Sequence, residues 1–355
     1  MQPPLRVGLL GCGRLGSQVM LPLLASRPDV RVTVVADPDE PARTRAQARA
    51  PGAVADADWR AALDRPDLDA VVVTLPTALH GAAALSAMAR GVAVYLEKPL
   101  AATLDEATAI REAWRGTGLT VAVGFNLRFH PLIIRMRQHL CDGRIGQPRL
   151  MRCAFTVAAR LDGSWRHHSA QGGGVLRDLA SHHVDLARHL LGGDIQRVSA
   201  SRVTPAGGGE TIAATAVLDD DLVLSATWAS GAIDEDVVEI VGTDGAVRLS
   251  RYEDLTIIHR GRSVPGASTR LMRVVPTPRV VAFGLAKRRA PWHDPSFAAA
   301  LDNFLAAARQ RVPVVPGIDD GWQSVRVTSA IAEAARTGRC VDLSTQSSDV
   351  DPGTS

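Results

Sequence analysis

"LRVGLLGCGRLGSQVM" occupies residues 5–20, and its reading decides the fold. Leu5 to Leu10 is a compact apolar run suited to a buried strand, and Gly11-Cys12-Gly13-Arg14-Leu15-Gly16 follows without a break. A helical stretch then continues to about Ser26, and the next run, "VRVTVVA" (30–36), is β-branched and ends at Asp37. Gly-x-Gly-x-x-Gly is a weak signal alone. Between a strand and a helix, with an acidic residue closing the following strand, it predicts a dinucleotide site. Gly11 permits the tight turn, Gly13 lets the backbone approach a pyrophosphate, and Gly16 allows close helix–strand packing. Arg14 and Leu15 stand where the helix begins, and its unpaired N–H groups and positive dipole end favour an anion. Asp37 is placed to accept from both ribose hydroxyls and to repel a 2′-phosphate. NAD is therefore the expected cofactor, with NADP the alternative because Arg43 follows shortly after.

Outward from this stretch the alternation continues. "DAVVVTL" (69–75) suits a strand buried on both faces and ends at Pro76; a helix is predicted from about His80 to Arg90, leading into "VAVYLE" (92–97). Thr103-Leu104-Asp105-Glu106 matches a capping box, and "LTVAVGF" (119–125) reads as a further strand. Strands separated by helical segments predict an α/β fold whose N-terminal domain, residues 1–125, is a doubly wound parallel sheet. Ligands on such sheets bind outside the carboxyl ends of the strands. Thr74 and Pro76, Glu97 and Lys98, and Arg128 within "NLRF" (126–129) occupy such ends. At "YLEKPLA" (95–101) two opposite charges and a proline stand where an apolar strand leaves the core. A surface ion pair there would contribute little and would not explain the position.

Beyond about residue 145 the pattern changes. "RLMRCAFTV" (149–157) reads as a strand and "GGGVLRDLASHHVDLARHLLGG" (172–193) as a helix bounded by glycines, followed by "RVSASRV", "TIAATAVL", "LVLSATWA", "DVVEIVG", "AVRLS" and "LTIIH". Asp244-Gly245 is a hairpin signal. Residues 126–344 are thus expected to form an α+β domain with an antiparallel sheet, and 345–355 a disordered tail. The Arg-, Pro- and Gly-rich stretch 261–295 is expected to be a surface excursion, with helices near 296–310 and 319–337 after it.

On the helix at 174–191, Asp178 and His182 are four apart and share a face. A carboxylate beside an imidazole orients it and stabilises its charge, which makes the histidine a useful base; a satisfied Asp–His pair packed on the sheet is the alternative. His167, His168, His182 and His183 are close in sequence, but adjacent helical histidines diverge and no H-E-x-x-H or cysteine pairing supports zinc, so no metal is expected. With 355 residues the chain has room for two domains, and its net charge of +3 gives no reason to expect nucleic acid. Four scattered cysteines read as reduced thiols of a cytoplasmic protein, and no apolar run reaches the length of a membrane span. The broken, glycine-rich start reads as mature structure rather than a signal peptide.

"GLLGCGRLG", "TLPTALH" (74–80), "EKPLA" (97–101), "GFNLRFHP" (124–131), "GRIGQP" (143–148) and the 172–192 helix together resemble the glucose–fructose oxidoreductase / inositol dehydrogenase / rhizopine catabolism (Gfo/Idh/MocA) family. "GTDGAVRL" and the C-terminal "VPVVPGIDDGWQSVRVTSAIAEAARTGRCVDL" extend the resemblance over nearly the whole chain. It implies a Rossmann domain, then a domain with a large open, mostly antiparallel sheet whose exposed face mediates homodimers or homotetramers, and C-terminal helices packed back on the first domain. It also implies that Lys98, Asp178 and His182 meet at the substrate, a sugar, cyclic polyol or sugar derivative. His182 would then be the base, Asp178 its orienting partner, and Lys98 the donor to the reacting oxygen. Trp165 and Arg166 are implied to line the sugar pocket, and His80 and Arg128 to face the nicotinamide end, with Glu97 orienting Lys98 or meeting the cofactor; a tryptophan used only for packing, and structural roles for His80 and Arg128, are the alternatives. Thr77, where many relatives carry asparagine, and Tyr95, where a smaller residue is common, depart from the pattern.

The leading expectation is an NAD(P)-dependent dehydrogenase or reductase acting on CH–OH groups, with no nucleic-acid or membrane partner. A redox-neutral sugar-processing enzyme with tightly bound cofactor is the second, and a non-catalytic dinucleotide sensor the third. An intact Lys98, Asp178 and His182 argues against the sensor, which needs no base.

Overall fold

The computed structural model describes residues 3–158, 174–206, 208–219, 222–252, 258–261, 271–273, 278, 281–282, 285 and 294–344. They divide into two compact units: one holds the described residues up to Phe129 and from Leu285 to Val325, the other those from His130 to Gly284 and from Arg326 on.

In the first unit the β-branched runs form six parallel strands: β1 (Leu5–Leu10), β2 (Val30–Ala36), β3 (Val54–Asp56), β4 (Ala70–Val73), β5 (Ala93–Leu96) and β6 (Val121–Val123). Their order is β3-β2-β1-β4-β5-β6, the doubly wound arrangement expected from sequence. Every residue of β4 and β5 is buried, because apolar clusters cover both faces of the sheet. Five helices lie between strands: α1 (Leu21–Ala25), α2 (Glu40–Arg49), α3 (Trp59–Leu63), α4 (His80–Ala89) and α5 (Leu104–Trp114). Thr103 Oγ1 accepts the Glu106 N–H at 3.2 Å, while the Glu106 carboxylate takes the N–H of Ala102 at 3.1 Å, one residue earlier than a strict capping box requires.

The second unit contains α6 (Pro131–Cys141) and α7 (Ser181–Leu191) with strands β7 (Pro148–Val157), β8 (Ile195–Val203), β9 (Glu210–Leu218), β10 (Leu222–Ser230), β11 (Glu235–Gly242), β12 (Gly245–Ser250), β13 (Ile258–Gly261), β14 (Leu271–Arg273) and β15 (Val341–Asp342). They form one nine-stranded sheet, β14-β13-β12-β11-β7-β10-β9-β8-β15, antiparallel except where β7 and β10 run parallel. Strict alternation along β9 and β10 buries Ile212, Ala214, Ala216, Leu224, Ala226 and Trp228 on one face.

Two helices complete the described chain. α8 (Ser296–Gln310) sets Phe304 edge-on to Tyr95 of β5 at 5.7 Å and places Asp302 on Arg27. α9 (Ile318–Thr337) begins in the first unit and ends in the second. Gly321 lets α9 lie directly on the turn after β5, since a Cβ there would stand 2.9 Å from Leu100 Cβ.

A buried polar cluster fastens α7 to its sheet. Trp228 Nε1–H donates to His183 Nδ1 at 3.1 Å, and His183 Nε2 faces Asp236 Oδ1 at 3.1 Å. Burial opposes a charged ring, whereas Cys153 and Asp236 favour one; the indole N–H decides, because an imidazolium has no lone pair to accept it. His183 is therefore neutral and points its proton at Asp236. Arg251 donates through Nε to Asp236 Oδ2 at 2.6 Å. Burial disfavours the Asp236 carboxylate, but Arg251 and His183 outweigh it and hold the group well below the usual carboxylate range. A depressed native pKa stabilises the fold above the unfolded value, about 3.9, and that contribution disappears as pH falls through the native value. Arg251→Leu leaves a buried, uncompensated carboxylate and is expected to cost about 3–5 kcal/mol in urea denaturation at neutral pH. That deficit should shrink in acid; one unchanged down to low pH would contradict the assignment.

Candidate active site

The glycine loop joins β1 to a π-helical turn, Gly16–Met20, that runs into α1. Gly11 has φ +95°, and a Cβ on it would stand 2.7 Å from the Thr74 carbonyl oxygen. One on Gly16 would stand 2.1 Å from the Gly11 oxygen, so these two glycines are required by the loop's own packing. Gly13 differs. It is exposed, its φ is not positive, and a Cβ would meet nothing within 4 Å. Open space above an exposed backbone at the N-terminal end of a helix fits a pyrophosphate. Thr74 belongs to the same construction, its hydroxyl donating to Gly11 O at 2.7 Å.

Asp37 closes the loop from the end of β2. Its Oδ2 accepts the Cys12 N–H at 2.6 Å and its Oδ1 the Asp39 N–H at 2.9 Å. Arg43 donates to the Asp37 backbone oxygen at 2.6 Å, which ties the guanidinium to the main chain beside the carboxylate. Burial and the Asp37 charge push the Cys12 thiol up to about 12, so it stays protonated and takes no part in chemistry. Gly13→Val is expected to change unfolding free energy by less than about 0.5 kcal/mol. By overpacking of about 1–3 kcal/mol it should weaken NADH binding about 5- to 150-fold in calorimetric titration. Equal NADH affinity in the variant would remove Gly13 from the site.

Lys98 is half-buried at the carboxyl end of β5. Beside it Glu97 is 5% exposed, and its carboxylate lies over Gly124, where a Cβ would be 2.8 Å from Oε1. Burial and Glu97 push the Tyr95 phenol well above its usual range and keep it neutral. Pro76 leads into a short turn at Thr77–Leu79, with Thr77 fully buried. His80 is 1% exposed, and both ring nitrogens face main-chain oxygens, Nδ1 on Pro99 O at 2.7 Å and Nε2 on Leu75 O at 2.9 Å. Its polar atoms therefore face the two turns, the structural alternative to a cofactor contact. Arg128 is also buried and pairs with Asp320 Oδ1 at 2.7 Å, while Asp320 Oδ2 accepts the Gly317 N–H at 3.0 Å. Its placement is that of a strut between the 126–129 turn and α9.

In the second unit Asp178 lies in a π-helical turn, Leu176–Ala180, and His182 in the first turn of α7. Both are half-buried, whereas His183 is fully buried toward the sheet. Ser181 Oγ donates to the Arg177 carbonyl at 2.8 Å, within the π turn that the sequence reading took as ordinary helix. The Phe155 ring lies 6.3 Å from that of His182. Trp165, Arg166, His167 and His168 lie outside the described residues, as does the 345–355 tail. Among the described residues no group of three or more His, Cys, Asp or Glu could hold a metal ion, and no helix is long and apolar enough to cross a membrane.

Residues 5–125 match the family described as oxidoreductase family, NAD-binding Rossmann fold, and residues 133–248 match the GFO/IDH/MocA C-terminal domain. The chain belongs to the Gfo/Idh/MocA oxidoreductase family. A dTDP-3,4-didehydro-2,6-dideoxy-alpha-D-glucose 3-reductase of Streptomyces antibioticus is 35% identical over 56% of this chain and 60% of its own length. A levoglucosan dehydrogenase of Pseudarthrobacter phenanthrenivorans is 27% identical over 96% of this chain and 98% of its own. A solved levoglucosan dehydrogenase, in complex with NADH and L-sorbose, shares the fold at TM-score 0.82, with 23% identity over 96% of this chain and 99% of that one.

Membership in this family makes the chain an NAD-binding oxidoreductase, and it directs attention to a signal in the composition that the motif reading passed over. Of 40 Lys and Arg residues only Lys98 and Lys287 are lysine. A chain that uses arginine at nearly every basic position keeps a compact ammonium at the end of β5. Arginine cannot replace it there if a point charge with rotatable donors is what the site requires.

Proposed function

We propose that this enzyme moves a hydride between NAD and a secondary alcohol or ketone of a sugar, cyclic polyol or sugar derivative. The observation that carries the reading is a rare lysine at the carboxyl end of β5, in the same unit as a glycine loop open at Gly13 and closed by Asp37. NAD, when bound, supplies the hydride acceptor. Gly13, Arg14, Leu15 and the start of the helix would hold its pyrophosphate, and Asp37 its ribose. His182 takes the hydroxyl proton in the oxidation direction, and Asp178 orients the ring and stabilises its positive charge. Lys98 donates to the reacting oxygen and favours the developing alkoxide. Reduction of a ketone reverses these steps, with the His182 imidazolium as the acid.

The relatives' names, a levoglucosan dehydrogenase and a nucleotide-sugar reductase, support a carbohydrate substrate. Calorimetric titration with NADH and NADPH, followed by a screen of levoglucosan, inositols and aldoses, tests the reading. Tight NADH binding, weaker NADPH binding and turnover of one such alcohol are expected. Binding of neither cofactor by folded protein would overturn it.

The second unit's sheet supports self-association. Its outward positions on β9 and β10, Ala213, Thr215, Ser225 and Thr227, are small and exposed, a surface on which a second copy can lie flat. Sedimentation of the wild type as a dimer or tetramer, and of Thr215→Arg as a smaller species, is expected; a monomeric wild type would exclude this arrangement.

A further inference from the structure

Two turns of the first unit border the site. One follows β4, carrying Thr74, Leu75 and Pro76; the other follows β5, carrying Glu97, Lys98 and Pro99. One fully buried ring stands between them. His80, at the first position of α4, sets Nδ1 2.7 Å from the Pro99 oxygen and Nε2 2.9 Å from the Leu75 oxygen. We propose that His80 is a positioning residue for Lys98: its buried imidazole fills the space between the Leu75 and Pro99 carbonyls and donates its one N–H to one of them, so that the lysine's backbone is held against the turn that closes the glycine loop. The role deepens the reading above, since it matters for turnover only if Lys98 acts on the substrate.

The geometry is specific. The Pro99 carbonyl belongs to the residue next to Lys98, so fixing it restricts the main chain from which the ammonium projects. The Leu75 carbonyl follows Thr74, whose hydroxyl and backbone N–H bond to Gly11 O and Leu10 O. One buried side chain thus stands between the Lys98 turn and the turn bonded to the glycine loop. Burial, aided by Lys98, pushes the ring's pKa below its ordinary value, against the two carbonyls and Glu106. The neutral ring donates from the nitrogen that carries its proton, to Pro99 from Nδ1 or to Leu75 from Nε2. An apolar residue removes the donor, and glutamine restores a donor without the rigid ring that fills the space between the two turns. An anchor of this kind matters because misplacing a reacting group by about 1 Å costs roughly 10²-fold in rate.

The rarity of lysine makes the test direct. Protein labelled with 13C at lysine Cε gives signals from Lys98 and Lys287 only, and Lys287→Arg assigns them. Spectra of the cofactor-free enzyme are compared for wild type, His80→Leu and His80→Gln, with thermal melts to confirm folding; if His80→Leu does not fold, His80→Gln carries the comparison. A shifted, broadened or split Lys98 signal with an unmoved Lys287 signal is the expected result. In a turnover assay the same variants should lose kcat by about 10²-fold, with a much smaller change in NADH affinity. Lys98 signals superimposable on wild type in the folded variants would overturn the proposal. If the signal moves but Lys98→Met retains turnover, the positioning stands and the catalytic reading of Lys98 falls.

Discussion

Replacing Lys98 by methionine is expected to lower kcat by about 10³-fold while leaving NADH affinity and melting temperature nearly unchanged. A unit charge about 4 Å from a developing alkoxide contributes roughly 4 kcal/mol at an effective dielectric near 20, which is three decades in rate. Methionine keeps the length and the apolar stem and removes only the charge and its donors. Lys98→Arg should not restore activity, because a planar guanidinium cannot take the place of a compact ammonium in the turn bordered by Glu97 and Pro99. The measurement is steady-state turnover of the alcohol identified by the screen, beside calorimetric NADH binding. A Lys98→Met enzyme within about tenfold of wild type would exclude an electrostatic role for this residue.

The second large effect belongs to His182. His182→Asn removes the base but keeps a polar side chain of similar reach, and a positioned base contributes about 10²- to 10⁴-fold. In the oxidation direction the wild-type kcat/KM should fall on the acid side as the base becomes protonated, and that limb should be absent from the variant. An unchanged pH profile would move the base elsewhere. His183 cannot take its place: it is fully buried and its ring nitrogens are engaged by Trp228 and Asp236. A His183 substitution should therefore show in stability before it shows in the pH dependence.

Much of this was legible in the chain itself. The glycine loop, the acidic residue after β2 and the buried runs at β4 and β5 are local signals, because turns, β-branched runs and strand ends depend on near neighbours. β3 was not visible, since three half-exposed residues at a sheet edge carry no periodicity. The π turn beneath Asp178 was also hidden, because one shifted hydrogen bond leaves the apolar pattern of a helix intact. For His80 the resemblance left a contact with the nicotinamide end and a structural role side by side, and only the folded chain shows that the Leu75 and Pro99 carbonyls enclose its ring.

The sequence by itself determined the doubly wound first domain, the dinucleotide loop and the preference for NAD drawn from Asp37, whereas grouping Lys98 with Asp178 and His182 came from the family resemblance. The domain, the loop and the cofactor preference follow from backbone sterics, periodicity and charge type, which are properties of short segments. Only the tertiary structure decided that Gly13, and not Gly11 or Gly16, is glycine for something outside the loop's own packing. It likewise decided that Arg128 is paired with Asp320 and that His183 is locked to Trp228 and Asp236. Each of these depends on atoms brought together from distant parts of the chain, and which carbonyl, carboxylate or indole a buried side chain will meet is set by packing rather than by its neighbours in sequence.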